Sequence, residues 1–225
     1  GLSGAVKGYH VVLTMPESLS IERRKLLAGF GAELILTPAA EGMRGAIERA
    51  GQLVAEHGFF MPQQFQNPAN PQVHRETTAP EILRQCPDRI DYPVAGIGTG
   101  GTITAVGEVL RDAFPDVQVI GVEPADSAIL SGGQPSPHKI QGIGAGFVPD
   151  VLNVDLLDEV VPVTNDEAIE GARHLAQEEG LMVGISSGAA LAATLKVADR
   201  IKGPATIVTV LPDTGERYLS TELHA

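Results

Sequence analysis

A single cysteine, Cys86, occurs in the chain, which excludes an internal disulfide and fits a reducing, cytoplasmic compartment. It closes a helical pattern just before Pro87, so it reads as a structural thiol and not as a nucleophile. Basic charge is scarce: 16 Lys and Arg stand against 28 Asp and Glu, a net charge of −12. With the lysines and arginines scattered and no basic patch, a nucleic-acid partner is excluded. Apolar runs stay short of the roughly 18 residues that a membrane-spanning helix needs, and no signal peptide opens the chain. The six histidines, at 10, 57, 74, 138, 174 and 224, share no ligand spacing, and no metal is expected. The opening also lacks a methionine: Gly1 to Gly4 run towards the first strand without a cap, in the manner of a chain cut into.

What is present is an ordinary α/β composition. With 43% hydrophobic and 20% charged residues over 225 positions, a sizeable core in one large or two-lobed body is expected. The 26 glycines and 16 prolines fall mostly at segment boundaries and read as turns. Residues 10–15 predict a strand. Ser20 caps a helix ending at Gly31, and residues 33–36 predict a second strand. A helix with Met43, Ala46, Ile47, Ala50, Leu53 and Val54 on one face stops at Gly58, and residues 59–61 predict a third strand. This βαβαβ pattern makes residues 1–65 a smaller lobe, and residues 66–225 a larger one. At the junction, Gln63, Gln64 and Gln66 precede two Asn-Pro turns. Polar amides at the carboxyl end of a strand suit a ligand site or a plain connecting loop. A helix over 72–85 follows.

The larger part is organised around residues 91–106. The apolar run 92–95 predicts a buried strand, and Ile103, Val106 and Leu110 predict a helix after it. Between them lies Gly96-Ile-Gly98-Thr99-Gly100-Gly101-Thr102. A strand, a glycine-rich turn and a helix present free backbone N–H groups and a helix dipole to a phosphate. Two anions fit this turn. Gly96, Gly98 and Gly101 also satisfy G-x-G-x-x-G, and Glu123 closes the next strand, 117–122, where a dinucleotide's ribose would be held. A nicotinamide-dependent oxidoreductase of Rossmann type therefore stands as the alternative, beside a non-catalytic binding protein. Residues 124–149 form a long irregular segment containing Gly142, Gly144 and Gly146, where backbone can approach a ligand closely. Thr164 and Glu167 read as a capping box. Ser186 and Ser187 stand where a helix over 189–201 begins, placed to cap it or to meet a ligand. The last strand spans 206–211.

Taken in order, these blocks resemble cysteine synthase (O-acetylserine sulfhydrylase), within the fold type II, tryptophan-synthase-β-like pyridoxal-phosphate enzymes. The carrying motifs are Met15-Pro-Glu17 with residues 20–25, Gln64-Phe65 through Pro71, His74 with Thr77-Thr78, and residues 98–102. Residues 138–147, Gly184-Ile-Ser-Ser-Gly188 and residues 215–221 complete the set. The resemblance implies two open, mainly parallel sheets flanked by helices. It implies pyridoxal 5′-phosphate, with Gly98, Thr99, Gly100, Gly101 and Thr102 on its phosphate and Ser186 on its pyridine nitrogen. Gln64, Gly142, Gly144 and Ala145 are implied to line the substrate site. The implied reaction converts O-acetyl-L-serine and sulfide to L-cysteine and acetate, in a homodimer whose active site can accept the C-terminal tail of serine acetyltransferase. A hydroxyl partner leaves the ring a weaker electron sink than a carboxylate would, which suits β-elimination. One departure is expected to matter. The family's Schiff-base lysine and its Thr-Ser-Gly-Asn-Thr loop lie N-terminal to anything matched here, and Lys7, Lys25, Lys139, Lys196 and Lys202 stand in other contexts. The chain is therefore expected to be N-terminally incomplete, to offer no catalytic residue of its own, and to be inactive alone.

Overall fold

A computed structural model describes residues 1–225, which divide into two units. The first comprises Gly1–Pro62 with Thr214–Ala225. Its strands β1 (Val12–Pro16) and β2 (Glu33–Thr37) pair in parallel, Val12 opposite Glu33. Helix α2 (Ile21–Gly29) starts where Ser20 Oγ accepts the Arg23 N–H at 3.4 Å, as its sequence predicts. Helix α3 (Gly42–His57) ends on Gly58 at φ 67°, a left-handed turn where a side chain is strained. Arg23 donates to the buried Tyr218 hydroxyl at 2.9 Å, and Glu22 accepts the backbone N–H and hydroxyl of Ser220, so the C-terminal segment packs within this unit.

Two expectations fail in this unit. Residues 59–61 form no strand; Phe59 instead meets His10 edge-on, with ring centroids 6.0 Å apart. The opening residues do not run straight into β1, although, as expected, no side chain caps them. They form helix α1 (Leu2–Lys7), capped by Gly8 at φ 68°, and Gly4 lies so close to Val11 that a Cβ there would come within 2.3 Å of it.

The second unit is Gln63–Asp213. Its four strands are all parallel in the order β5–β4–β3–β6: β5 is Glu159–Val163, β4 Ile120–Pro124, β3 Tyr92–Gly96 and β6 Ile207–Thr209. Strands 3, 4 and 5 step one way across the sheet, and β6 returns to the other side of β3. The order thus reverses at β3, and its carboxyl end is a topological switch point, where crevices form in open α/β sheets. Helix α6 (Gly101–Ala113) follows β3 directly and buries Ile103, Val106 and Leu110 against Ile90, Val119 and Leu156.

The helix expected over 72–85 is two: α4 (Ala69–Glu76) and α5 (Thr78–Gln85), broken at Thr77. Pro80 has no N–H to offer the carbonyl four residues back, so one continuous helix cannot form. Helix α7 (Asn165–Glu178) opens with the expected capping box, Glu167 N–H to Thr164 Oγ at 3.2 Å and Thr164 N–H to the Glu167 carboxylate at 2.8 Å. Helix α8 (Ile185–Ala198) begins earlier than its apolar pattern suggests, because Gly184 is its cap. No helix is long and apolar enough to cross a membrane.

Candidate active site

The glycine turn sits at the switch point. Gly100 adopts φ 85° as the N-cap of α6, a conformation that L side chains rarely take. The neighbouring glycines answer to crowding. A Cβ on Gly98 would lie 2.5 Å from the Gly142 carbonyl oxygen, and one on Gly101 would lie 2.1 Å from Asn70 Oδ1. The turn is therefore pressed between the 142–147 loop and the start of α4. Gly144 N–H donates to the Ile97 carbonyl at 3.0 Å, tying that loop to the turn.

The threonine hydroxyls are held from behind. Asn70 Nδ2 donates to the Gln64 carbonyl and to Thr99 Oγ1, each at 2.8 Å. A carbonyl can only accept, which fixes the amide's orientation. Thr99 Oγ1 also accepts from the Gly101 N–H at 3.4 Å. A hydroxyl that accepts twice keeps its own proton for a further acceptor. Thr102 contacts His74 Nε2 at 3.2 Å, and His74 Nδ1 contacts Thr78 Oγ1 at 2.9 Å. Burial holds the His74 imidazole below its ordinary pKa.

Of the two serines opening α8, neither caps it. Ser187 is fully enclosed. Ser186 faces the loop, its Oγ 3.7 Å from where a Cβ of Gly142 would stand. Its place is set by backbone contact between α7 and α8: a Cβ on Gly188 would lie 1.9 Å from the Ala168 carbonyl, and one on Gly171 would lie 2.5 Å from that of Gly188. The 142–147 loop is pinned at several points. His138 contacts the Gly144 carbonyl at 3.0 Å, and the Phe147 ring meets Phe65 at 5.0 Å between centroids. Phe65 also accepts the Val151 N–H at 3.1 Å. Gln64, Gly142, Gly144, Ala145, Ser186 and residues 98–102 thus all belong to one unit. Asn70 joins the turn to the Gln64 backbone, Gly98 meets Gly142, and Gly142 in turn meets Ser186.

Sequence reasoning marked the turn, the amide loop, the 142–147 loop and Ser186. It left out Asn70, His74 and Thr78 as site residues. Asn70 stands two residues after an Asn-Pro step, and His74 and Thr78 are spaced i, i+4, a pairing that a helical reading could have found. Glu123 is a further correction. It is 2% exposed, and its two carboxylate oxygens accept the Leu130 and Ser131 N–H groups at 2.8 and 2.9 Å. It clamps the loop after β4 and is not free to hold a ribose.

The donor set fits an anion such as a phosphate monoester, with backbone N–H groups at glycines and a Thr99 proton left over, and with the Ser186 hydroxyl beside Gly142 as a further polar group. Comparison with known proteins agrees. The family model described as "Pyridoxal-phosphate dependent enzyme" matches residues 1–213. The cysteine synthase of Staphylococcus aureus (strain Mu50 / ATCC 700699) is 53% identical over 222 residues, spanning 98% of this chain and 72% of that protein. Among solved structures, O-ureido-L-serine synthase superposes with a TM-score of 0.93 at 44% identity, covering 98% of this chain and 70% of that one. The O-acetylserine dependent cystathionine β-synthase of Helicobacter pylori superposes with a TM-score of 0.95 at 36% identity, covering 100% and 73%.

These matches correct the reading of the opening residues as lying outside the family's pattern: the family model matches from residue 1, in the segment that folds as α1. With that reading goes the expectation of an N-terminally incomplete chain, silent for want of the family's lysine, which is not carried forward. The match likewise removes the nicotinamide and binding-only alternatives. The chain belongs to the pyridoxal-phosphate dependent enzymes, as a transferase of the cysteine synthase type with pyridoxal 5′-phosphate as its cofactor.

Proposed function

We propose that the protein carries out β-replacement on O-acetyl-L-serine with sulfide, giving L-cysteine and acetate. Pyridoxal 5′-phosphate, when bound, supplies the electron sink for loss of the β-substituent. The chain's own residues bind and orient. The N–H groups and threonine hydroxyls of residues 98–102 hold the phosphate with charge-assisted hydrogen bonds at the positive end of α6. Ser186 Oγ meets the pyridine nitrogen as a neutral partner. Gln64 with the backbone of Gly142, Gly144 and Ala145 lines the amino-acid side, where glycines keep side chains out of the substrate's path.

The observation that carries this reading is the polarity of Thr99. Asn70 can only donate to it, so the Thr99 hydroxyl proton is committed outward, towards an anion. The acceptor substrate is the open choice, because two relatives named for different products match nearly the whole of this chain: one is a cysteine synthase and another an O-acetylserine dependent cystathionine β-synthase. The test is a spectroscopic titration with pyridoxal 5′-phosphate, followed by product analysis with O-acetylserine and either sulfide or homocysteine. Cysteine from sulfide at the higher kcat/KM supports the proposal. Cystathionine formed in preference, or no cofactor bound, overturns it.

A further inference from the structure

We infer that Thr78, His74 and Thr102 form a hydrogen-bond relay that directs the Thr102 hydroxyl proton at the anion held by the glycine turn. The inference deepens the phosphate reading above and rests on it. His74 bridges the two threonines, with Nδ1 2.9 Å from Thr78 Oγ1 and Nε2 3.2 Å from Thr102 Oγ1. A neutral imidazole has one donor and one acceptor nitrogen, so the chain of three can run in either of two directions.

If Thr78 donates to Nδ1, the Nε2–H donates to Thr102, and Thr102 keeps its own proton for the anion. In the opposite direction Thr102 spends its proton on Nε2 and turns lone pairs towards the anion, which repels it. An anion therefore selects the first arrangement, in which the Thr78 hydroxyl is the donor that holds His74 as its Nε2–H tautomer. The neighbouring Asn70–Thr99 pair has the same polarity by necessity, since an amide nitrogen cannot accept. His74 achieves by tautomer what Asn70 achieves by composition. Burial disfavours protonation of His74, and a neutral ring is what a relay requires. Thr78 and His74 are positioning residues here, since each acts on the anion through Thr102.

The test measures pyridoxal 5′-phosphate dissociation constants for the whole chain, with the ³¹P resonance of the bound phosphate as a second readout. Thr78→Val, which keeps the shape and removes the donor, is expected to weaken binding about tenfold, the weight of one hydrogen bond to a charged group. Thr102→Val is expected to do the same. The double variant is expected to lose no more than Thr102→Val alone, because the two act along one path. Thr78→Ser restores the donor and should restore both the affinity and the ³¹P position. If Thr78→Val does not fold, Thr78→Ala takes its place.

Unchanged affinity in Thr78→Val, or losses that multiply in the double variant, overturns the relay while leaving the phosphate reading intact. The phosphate reading has its own control in Gly101→Ala, which drives a Cβ into the Asn70 amide. If Gly101→Ala and Thr102→Val both bind the cofactor as the parent does, the anion lies elsewhere and both readings fall.

Discussion

Replacing Gly98 by alanine tests the site at its tightest joint. The added Cβ would stand 2.5 Å from the Gly142 carbonyl oxygen. That atom is backbone, so no rotamer change can relieve the contact and the 142–147 loop must move. Overpacking of this kind costs about 1–3 kcal/mol. Moving the loop also threatens the Gly144 N–H to Ile97 carbonyl bond at 3.0 Å, worth about 1 kcal/mol. The sum, about 2–4 kcal/mol, corresponds to a fall in Tm of about 4–16 °C for a chain of this size. Gly96→Ala is the matched control. Its nearest obstacle is the Ile143 Cγ2 methyl at 2.8 Å, a side-chain atom that can shift, and about 1 kcal/mol is expected. Urea unfolding read by circular dichroism gives the stabilities, and cofactor absorbance gives retention. Gly98→Ala should lose the cofactor as well as stability, since the displaced loop borders the turn. If Gly98→Ala lies within about 0.5 kcal/mol of the parent, a surface-substitution effect, or if Gly96→Ala proves the worse of the two, the close approach of the two loops is refuted.

Four further outcomes follow from contacts already described. Ser186→Ala should weaken cofactor binding about two- to tenfold, one neutral hydrogen bond, and shift the absorbance of the bound cofactor; an unchanged spectrum argues against contact with the ring nitrogen. Burial lowers the His74 pKa from 6.5, so below that pH the unfolded chain binds more protons than the folded one. Stability attributable to His74 is therefore present above pH 6.5 and lost as pH falls through the lower folded value; urea titrations at about pH 7.5 and about pH 5.5 should show this loss in the parent and a smaller one in His74→Asn. Glu123→Gln should cost about 1.5–3 kcal/mol through its weakened grip on two backbone N–H groups. Hydrogen exchange should then quicken at Leu130 and Ser131, with cofactor affinity unchanged. Thr164→Ala should cost about 1 kcal/mol by removing a helix cap, again with no effect on the cofactor; a loss of binding would show that α7 positions the site more directly than its contacts indicate.

Elements whose signals are local were legible in the sequence. The capping box at Thr164 and Glu167, the stop at Gly58 and the glycine turn before α6 each depend on a few neighbouring residues, and each stands where its residues put it. The signals that misled were those needing a partner remote in sequence. Residues 59–61 have strand-like composition but no strand to pair with. The helix expected over 72–85 is the exception, since its break at Thr77 comes from a local residue, Pro80. Glu123 occupied the position a ribose-binding acid would take, and only the fold shows its carboxylate closed by two backbone N–H groups. The support behind Thr99 and Thr102 was out of reach for the same reason: Asn70 and His74 come from a different helix, 29 and 28 residues earlier in the chain.

The seam between α7 and α8 bears on how such a site can be altered. Gly171 and Gly188 bring two helices together main chain against main chain, and Ser186 rides on that seam within the first turn of α8. A joint of this kind has no rotamers to populate, so the backbone that carries Ser186 moves only as the helix does. The facing loop is held by separate fastenings, at Gly144, His138 and Phe147. The wall opposite is fastened in two ways: main chain against main chain where Gly98 meets Gly142, and through side chains at His138 and Phe147. Only the second kind can be exchanged one contact at a time, so substitutions at His138 and Phe147, with the loop glycines kept, should adjust that wall while α8 stays in register.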